Sequence, residues 1–226
     1  MLPGMMCNRR LFSAQAKTLG SRYDVVVPSL TAGCSIEEMA KDVLCEITAA
    51  KFNLAGLSMG GIVAIDIIRQ APDRVSRLAL IDTSPLAEAA DVKARREPQI
   101  AAARAGNLAA VLRDELKPNY LANGDRKREI LDLCTDMALT LGPDVFERHS
   151  RALQNRADRQ ETLRKVQAPT LIMMGEDDRL CPRDVHDLMH NLVSGSRLSI
   201  IEGAGHLPTL EKPDETTAEL VRWLEE

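Results

Sequence analysis

The sequence predicts an α/β fold in which a mostly parallel sheet carries helices on both of its faces. Three observations predict it: a length suited to one domain, an ordinary globular composition, and short apolar runs that alternate with longer helical patterns. The chain has 226 residues, with 45% hydrophobic and 27% charged residues, which suits one domain with a substantial core. Alternation of strand and helix favours βαβ units and therefore parallel strands.

Five apolar runs are predicted to be strands. Each is short, rich in aliphatic residues and followed by a turn or a helical pattern. Their nearly continuous hydrophobicity is typical of strands that are covered on both faces. They are YDVVVPSL (23–30), FNLAGL (52–57), RLALIDTS (77–84), TLIMMG (170–175) and RLSIIEGA (197–204).

Four segments between or after these runs are predicted to be helices. The first begins with a capping box, because Ser35 is followed three residues later by Glu38. The second ends before Pro72, since proline disfavours helical geometry in the residue that precedes it. The four helices are predicted at 35–50, 59–71, 182–193 and 213–225.

Residues 86–167 interrupt the alternation of strands and helices. They contain several helical patterns, such as QIAAARAGNLAAVLRDELK, and no convincing strand. Connections between a strand and a helix are usually roughly 2–6 residues long, so an ordinary crossover is the weaker interpretation. We therefore expect an inserted helical lid over one end of the sheet, while residues 1–85 and 168–226 form the core domain.

The stretch GLSMG places Ser58 between a strand pattern and a helix pattern. Gly56 and Gly60 stand two residues before and after it, which matches G-x-S-x-G in the context that gives this motif its meaning. A sharp turn from strand to helix strains the backbone at the serine and crowds its neighbours, where a β-carbon would collide. The helix that follows directs its amide-rich N-terminus at the serine oxygen. Ser58 is therefore predicted to be a nucleophile.

A serine nucleophile requires a base, and the chain has four histidines. His206 lies in a glycine-rich loop after a predicted strand, at the edge of the sheet where α/β folds collect catalytic groups. His149 falls within the expected lid. His186 and His190 lie four residues apart on a predicted helix, where we expect an exposed face rather than a metal site. His206 is therefore the predicted base.

An acid that orients the histidine is expected after another strand. The run GEDDRLCP supplies Asp177 and Asp178, and Asp82 ends an earlier strand pattern. Cys181, in the same run, has no histidine base in evident reach and is interpreted as a packing residue. From the residues alone, the choice among the three aspartates stays open.

Four motifs together resemble the α/β-hydrolase superfamily, in the form of a small serine carboxylesterase with a helical lid. They are LPGMMC near the start, GLSMGG, GEDDRLCP and GAGHLPTLEKP, and they span nearly the whole chain in the order serine, acid, histidine. In this family the acid is the fourth residue of a Gly-x-x-Asp-x-x-x-Pro stretch, which implies Asp178, with Asp177 second. Asp82 stands where some relatives carry an alternative acid and where a structural strand end is more common.

The resemblance also implies an oxyanion hole made of two backbone amides. One is the amide after the nucleophile, here that of Met59. The other belongs to an early loop that usually begins His-Gly and here is Pro-Gly, which implies Met5, with Met6 as an alternative. The loop normally follows a central strand, yet two residues precede Pro3. We therefore expect that the N-terminal strands of the fold are truncated in this chain.

The function implied by the resemblance is cleavage of a small, largely apolar carboxylic ester through an acyl-enzyme. Thioesterase, carbon–carbon bond hydrolase and lyase activities use the same triad, and a non-catalytic ligand-binding module is a further alternative. Arg156 and Arg159 can clamp a substrate carboxylate or form a solvated helix end, which we expect. Apolar lid residues suggest the apolar group, or alternatively they bury the underside of the lid. They are Ala87, Ala89, Ala90, Ile100, Leu108, Leu112, Leu116 and Leu139.

Composition bounds the partners that we expect. The net charge is −4 without a long basic run, so neither nucleic acid nor an anionic membrane is predicted to bind. The five cysteines form no CxxC pair, which together with the absence of a signal peptide favours the cytoplasm. No metal or organic cofactor is predicted, because side chains and amides complete the chemistry. The expected partner is a small ester or acyl substrate, and the oligomeric state is not indicated.

Overall fold

The sheet consists of parallel strands in the order of the chain. The computed structural model describes residues 1–116 and 120–226, and within them four strands form one sheet of order β1-β2-β3-β4. All carboxyl ends therefore lie at one edge, as expected for βαβ connections. The strands are β1 (Phe52–Leu57), β2 (Val75–Ile81), β3 (Thr170–Gly175) and β4 (Arg197–Ile201).

The strand prediction for residues 23–30 is wrong. Residue 23 lies in a bend and residues 24–30 have no regular secondary structure, so the segment joins no ladder. Val26 accepts one hydrogen bond, from the amino group of Met1 at 2.7 Å. On the other side, Leu2 makes an isolated parallel bridge with Gly56 of β1. Residues of the segment 23–30 and of β1 line a common groove of about 420 Å³.

The four predicted helices are confirmed: three are shorter than predicted, and the last, 213–225, has the predicted bounds. Ser35 caps the first of them by accepting a hydrogen bond from the amide of Glu38 at 3.1 Å, while the Glu38 carboxylate accepts one from the amide of Cys34 at 2.7 Å. No helix in residues 1–116 and 120–226 has the length and apolar character required to cross a bilayer. The helices are α1 (Ser13–Leu19), α2 (Ile36–Glu46), α3 (Met59–Gln70), α4 (Ala90–Ala102), α5 (Leu108–Ala110), α6 (Lys127–Leu141), α7 (Pro143–Gln154), α8 (Gln160–Leu163), α9 (Arg183–Leu192), α10 (Pro208–Glu211) and α11 (Pro213–Glu225).

Both faces of the sheet are covered, as the continuous apolar strands predict. Side chains alternate along β2, so Leu78 and Leu80 join one core cluster whereas Ala79 and Ile81 join another. The first cluster is closed by α2, α3 and α9, and the second by α11 and α6. The described part of residues 86–167 contains no strand and contributes to a third cluster, which Phe146 of α7 shares with Met6 near the N-terminus.

Two glycines allow α3 to pack directly against β1. A β-carbon on Gly56 would lie 2.2 Å from the carbonyl oxygen of Gly60. One on Gly60 would lie 2.1 Å from the carbonyl oxygen of Leu2. Both distances are far below van der Waals contact with backbone atoms, which cannot move aside as a side chain can. The collision expected from the sequence is therefore present on both sides of Ser58.

We predict that Gly56→Ala lowers the free energy of unfolding by about 1–3 kcal/mol or more, because overpacking of this size is destabilising. The measurement is urea denaturation followed by circular dichroism. Gly124→Ala is the matched control, since a β-carbon there meets no atom within 4 Å, and its stability should stay within about 1 kcal/mol of the parent. Equal stability of the two variants would contradict the close packing.

Candidate active site

Ser58 occupies a strained turn between β1 and α3. Its φ is 54° and its ψ is −119°, a left-handed conformation that non-glycine residues rarely adopt. Its amide donates to the carbonyl of Ile81 at 2.9 Å, and its carbonyl accepts from the hydroxyl of Thr83 at 2.7 Å. The turn is therefore held from the neighbouring strand, and it places the serine at the carboxyl edge of the sheet.

Three side chains predicted from the sequence meet at this edge. The Nε2 atom of His206 lies 2.9 Å from the Oγ atom of Ser58. The Nδ1 atom of His206 lies 2.9 Å from the Oδ2 atom of Asp178. His206 and Asp178 are buried, whereas Ser58 is partly accessible. The arrangement can lower the barrier to nucleophilic attack, because the imidazole can accept the serine proton while the carboxylate fixes its tautomer.

The structure separates the two neighbouring aspartates that the sequence left open. Asp177 is exposed and its amide donates to the carbonyl of Ala204 at 2.8 Å. Asp178 is buried, and its Oδ1 atom accepts from the amides of Leu180 at 2.8 Å and Cys181 at 3.1 Å. Burial alone would raise the pKa of Asp178, but the charge and hydrogen bond of His206 outweigh it and hold this pKa below its usual value. Asp178 is therefore a carboxylate at neutral pH.

Asp82 does not contact His206 and instead closes the end of β2. It is fully buried with a φ of 43°, and its Oδ1 atom accepts from the amide of Gly175 at 2.8 Å. Burial and the negative charge of Asp178 raise the pKa of Asp82 well above its usual value. Burial beside Asp178 therefore favours the protonated form of Asp82, and its contacts are those of a structural strand end.

The prediction of an exposed face for His186 is wrong, because this residue is fully buried. Its Nδ1 atom lies 3.2 Å from the carbonyl of Pro182, and burial lowers its pKa. Among the described residues, one atom each of Asp82, Asp178 and His186 lie within 4.8 Å of one another, a spacing that suits a metal ion. Both carboxylate oxygens of Asp178 already accept hydrogen bonds, whereas the buried Nε2 atom of His186 has no hydrogen-bond partner among the described residues.

Cys181 is closer to a histidine than the sequence indicates. Its sulfur lies within 4.8 Å of a ring nitrogen of His206 and a carboxylate oxygen of Asp178. Burial raises the pKa of this thiol well above its usual value. Because the thiolate is the reactive form of cysteine, Cys181 stays a thiol while the imidazole faces Ser58.

The loop that carries His206 is held by Glu211, which the sequence analysis missed. The Glu211 carboxylate accepts hydrogen bonds from the amides of Gly205 at 3.0 Å, Leu207 at 3.0 Å and Ala122 at 2.8 Å. The amide of His206 itself donates to the carbonyl of Tyr120 at 2.7 Å. A glutamate five residues after the histidine in GAGHLPTLEKP was the available signal.

The N-terminal loop lies directly over Ser58. Leu2 is anchored on β1, since its amide donates to the carbonyl of Ala55 at 2.8 Å and its carbonyl accepts from the amide of Leu57 at 3.1 Å. A β-carbon on Gly4 would lie 3.4 Å from the β-carbon of Ser58. The amides of Met5 and Met59 donate no hydrogen bond to another described residue. Both are therefore available to an oxyanion.

Met6, the alternative donor, is committed elsewhere. Its amide donates to the Nδ1 atom of His149 on α7 at 3.2 Å, and its φ of 57° is left-handed. The Nε2 atom of His149 lies 3.1 Å from the carbonyl of Leu30. Burial lowers the pKa of His149 to about 4, so the ring is neutral and its Nε2–H donates to Leu30. The sequence analysis placed His149 only in the lid, but its hydrogen bonds connect the N-terminal loop to α7.

The cavity beside Ser58 has a volume of about 390 Å³. Three of the expected lid residues (Ala87, Ala89 and Leu116) line it. The other five do not line it: Ile100, Leu108 and Leu112 pack in the third core cluster, and Ala90 and Leu139 are exposed.

Arg156 and Arg159 were expected to form a solvated helix end, and this prediction is wrong for both residues. Arg156 lines the cavity with a side chain that is 15% exposed, and burial lowers its pKa. Arg159 lies outside the cavity and binds Asp66 and Glu37.

Comparison with known proteins decides the family. A model of the alpha/beta hydrolase family matches residues 1–220. The chain belongs to the alpha/beta hydrolase family. It is 26% identical to the pimeloyl-acyl-carrier-protein methyl ester esterase of Neisseria meningitidis serogroup C, over 80% of this chain and 72% of that protein.

Other members of this hydrolase family extend the similarity over nearly the whole chain. The protein of Nitrosomonas europaea with the same name is 24% identical, over 95% of this chain and 90% of its own length. A solved thermophilic esterase from Thermogutta terrifontis, bound to malate, has a TM-score of 0.92 and 27% identity, and the match covers 99% of this chain and 88% of that one. The fold described above is therefore shared with hydrolases.

We predict that Asp178→Asn lowers kcat for ester hydrolysis by about 10⁴, because an amide in this place favours the wrong imidazole tautomer. The measurement is steady-state kinetics with a p-nitrophenyl ester. Asp177→Asn is the control, since this exposed carboxylate touches none of the three side chains, and its kcat should match the parent. A larger loss for Asp177→Asn would reverse the assignment.

We predict that His149 makes the protein less stable as the pH falls from about 6.5 to about 4. The unfolded chain protonates this residue below about pH 6.5, whereas the folded chain keeps it neutral down to about pH 4. The unfolded state therefore binds more protons in this window, and the free energy of unfolding decreases by a contribution on the order of 3 kcal/mol.

The check is urea denaturation at several pH values for the parent and for His149→Gln, which does not titrate. The variant should be less stable at pH 7 and should lose less stability between pH 6.5 and 4. The same pH slope in both proteins would show that His149 is not held neutral.

Proposed function

We propose that the protein is a serine hydrolase that cleaves a small, largely apolar carboxylic ester through an acyl-enzyme intermediate. The observation that carries this proposal is the hydrogen-bonded series from Ser58 to His206 to Asp178, with both distances 2.9 Å, on a strained turn. The named relatives are esterases, which supports ester substrates. We assign the nucleophile to Ser58, the general base to His206 and the orienting acid to Asp178.

The proposed mechanism uses only these groups and two amides. Ser58 attacks the ester carbonyl while His206 Nε2 accepts its proton, and the amides of Met59 and Met5 bind the oxyanion. Collapse of the tetrahedral intermediate expels the alcohol, which takes the proton from His206. A water molecule, deprotonated by His206, then attacks the acyl-enzyme and releases the acid.

We further propose that residues 86–167 form a lid and that residues 1–85 and 168–226 form the core. The described part of the segment supports this division, because its helices share the third hydrophobic cluster and contribute to the cavity beside Ser58. Leu86, Val92 and Leu153 add to the apolar lining. A cavity of about 390 Å³ is at the small end of ligand sites, which favours a small acyl group.

The direct test is labelling by a fluorophosphonate, which reacts with activated serines. The parent should be labelled and Ser58→Ala should not be. Ser84→Ala is the matched control, because the Ser84 hydroxyl accepts from the amide of Leu86 at 3.2 Å and has no imidazole partner among the described residues. Labelling that persists in Ser58→Ala would contradict the proposal. No labelling of the folded parent would also contradict it and would favour a non-catalytic binding module.

The ester itself is tested by a panel of p-nitrophenyl esters of increasing acyl length beside acyl-CoA thioesters. We expect kcat/KM to be highest for short acyl esters, since the cavity is small. A higher kcat/KM for the thioesters would contradict the ester assignment and favour a thioesterase. Cleavage of neither class by a protein that the fluorophosphonate labels would favour a carbon–carbon bond hydrolase or a lyase.

A further inference from the structure

The cavity beside Ser58 contains a buried charged cluster in an otherwise largely apolar wall. Glu88 accepts hydrogen bonds from Nε and Nη2 of Arg96, the latter at 2.6 Å, and from Nη1 of Arg156 at 3.1 Å. The side chains of Glu88, Arg96 and Arg156 are 2%, 9% and 15% exposed. All three residues line the cavity. One carboxylate thus stands between two guanidinium groups.

Each guanidinium keeps donor capacity that protein oxygens do not use. The Nε atom of Arg156 donates to the carbonyl of Leu86 at 2.9 Å, but its Nη2 atom makes no hydrogen bond to another described residue and is not enclosed by protein. The Nη1 atom of Arg96 contacts the Met5 sulfur at 3.8 Å, and a thioether is a weak acceptor. The N–H groups of these two terminal nitrogens are therefore left for a stronger acceptor.

The charge of the cluster is not balanced. Two guanidinium groups face one carboxylate, and the other two charged lining residues, Arg95 and Glu115, are exposed and add one charge of each sign. A buried charge without a counter-charge is unfavourable. An anion in the cavity would balance the cluster, and the planar forks of arginine match a carboxylate.

Arg159 shows how the same chain balances a buried arginine that has only a structural role. It lies outside the cavity, is 19% exposed, and binds two carboxylates, those of Asp66 and Glu37. Arg156 and Arg96 share a single carboxylate and face the cavity. The carboxylates around Arg159 therefore balance its charge, whereas the cluster of Arg156, Arg96 and Glu88 lacks one negative charge.

The cluster borders the reacting groups on two sides. Arg96 contacts Met5, whose amide we assign to the oxyanion hole. Arg156 lines the same cavity as Cys181, whose sulfur lies within 4.8 Å of a His206 ring nitrogen. A small ester bound with its carbonyl at Ser58 therefore has one of its two substituents next to the cluster.

We propose that Arg156 and Arg96 form a carboxylate-binding subsite, so that the preferred substrates are esters whose short acyl chain carries a free carboxylate. Monoesters of short dicarboxylic acids belong to this class. The proposal rests on the proposed ester hydrolysis at Ser58 and specifies its substrate. The apolar lining between the cluster and Ser58 accommodates the methylene groups that separate the two ends of such an acyl chain.

The experiment compares matched substrates. Monomethyl esters of succinic, glutaric and adipic acid are assayed beside the same esters with the free carboxylate replaced by a carboxamide, and methanol release gives kcat/KM. We expect the parent to prefer at least one carboxylate over its carboxamide by about tenfold or more, the order expected of a charge-assisted hydrogen bond. Equal rates, or a preference for the carboxamides, would overturn the subsite.

Variants assign the preference to residues. Arg156→Gln should reduce the ratio of carboxylate to carboxamide towards one, and Arg156→Lys should retain part of it, because lysine keeps the charge without the fork. Arg159→Gln is the matched control: it removes a buried arginine outside the cavity and should leave the ratio unchanged. An unchanged ratio in folded Arg156→Gln would overturn the assignment, and so would equal losses in both variants.

If Arg156→Gln does not fold, competitive inhibition of the parent protein tests whether the carboxylate subsite exists. Glutarate should inhibit cleavage of a neutral p-nitrophenyl ester more strongly than the diamide of glutarate, and equal inhibition would overturn the subsite. Cleavage of that neutral ester and fluorophosphonate labelling report on the proposed function separately. If both succeed without a carboxylate preference, the subsite alone is wrong; if both fail, the proposed function is wrong.

Discussion

The close approach of α3 to β1 is the constraint on which the rest of the site depends. Gly56 and Gly60 have no room for a β-carbon, so the helix can begin immediately after the strand and force Ser58 into a left-handed conformation. The same contact brings the carbonyl of Leu2 against Gly60 and places the N-terminal loop over the serine. One packing event thus positions the proposed nucleophile and both proposed oxyanion donors.

The remaining groups are held by hydrogen bonds to loop backbone rather than by regular structure. Glu211 gathers amides on both sides of His206, and Asp178 accepts two amides of its own turn before it meets the imidazole. His149 on α7 accepts a hydrogen bond from the amide of Met6 in the N-terminal loop. Because each of these acceptors is buried or partly buried, its hydrogen bonds are strong and costly to leave unmade. The loops are therefore rigid at the points where geometry matters.

The sequence predicts the features that depend on local pattern. Apolar runs predict strands β1 to β4, and the capping box predicts the start of α2 at Ser35. The glycine spacing predicts the turn at Ser58. The segment 23–30 shows the limit, because its composition suits a strand but a ladder requires a partner that the pattern cannot supply. The spacing of Glu211 after His206 is a local signal, whereas the burial of His186 and the roles of His149 and Arg96 depend on contacts between distant segments. No local signal distinguishes such residues from exposed polar ones.

The most direct test of the account is a crystal structure of the protein after reaction with a small phosphonate, which mimics the tetrahedral intermediate. The account predicts phosphorus bonded to Ser58 Oγ, with the phosphonyl oxygen about 2.7–3.1 Å from the amides of Met59 and Met5, and His206 still bonded to Asp178. A phosphonyl oxygen turned away from these two amides, or phosphorus on another residue, would contradict it.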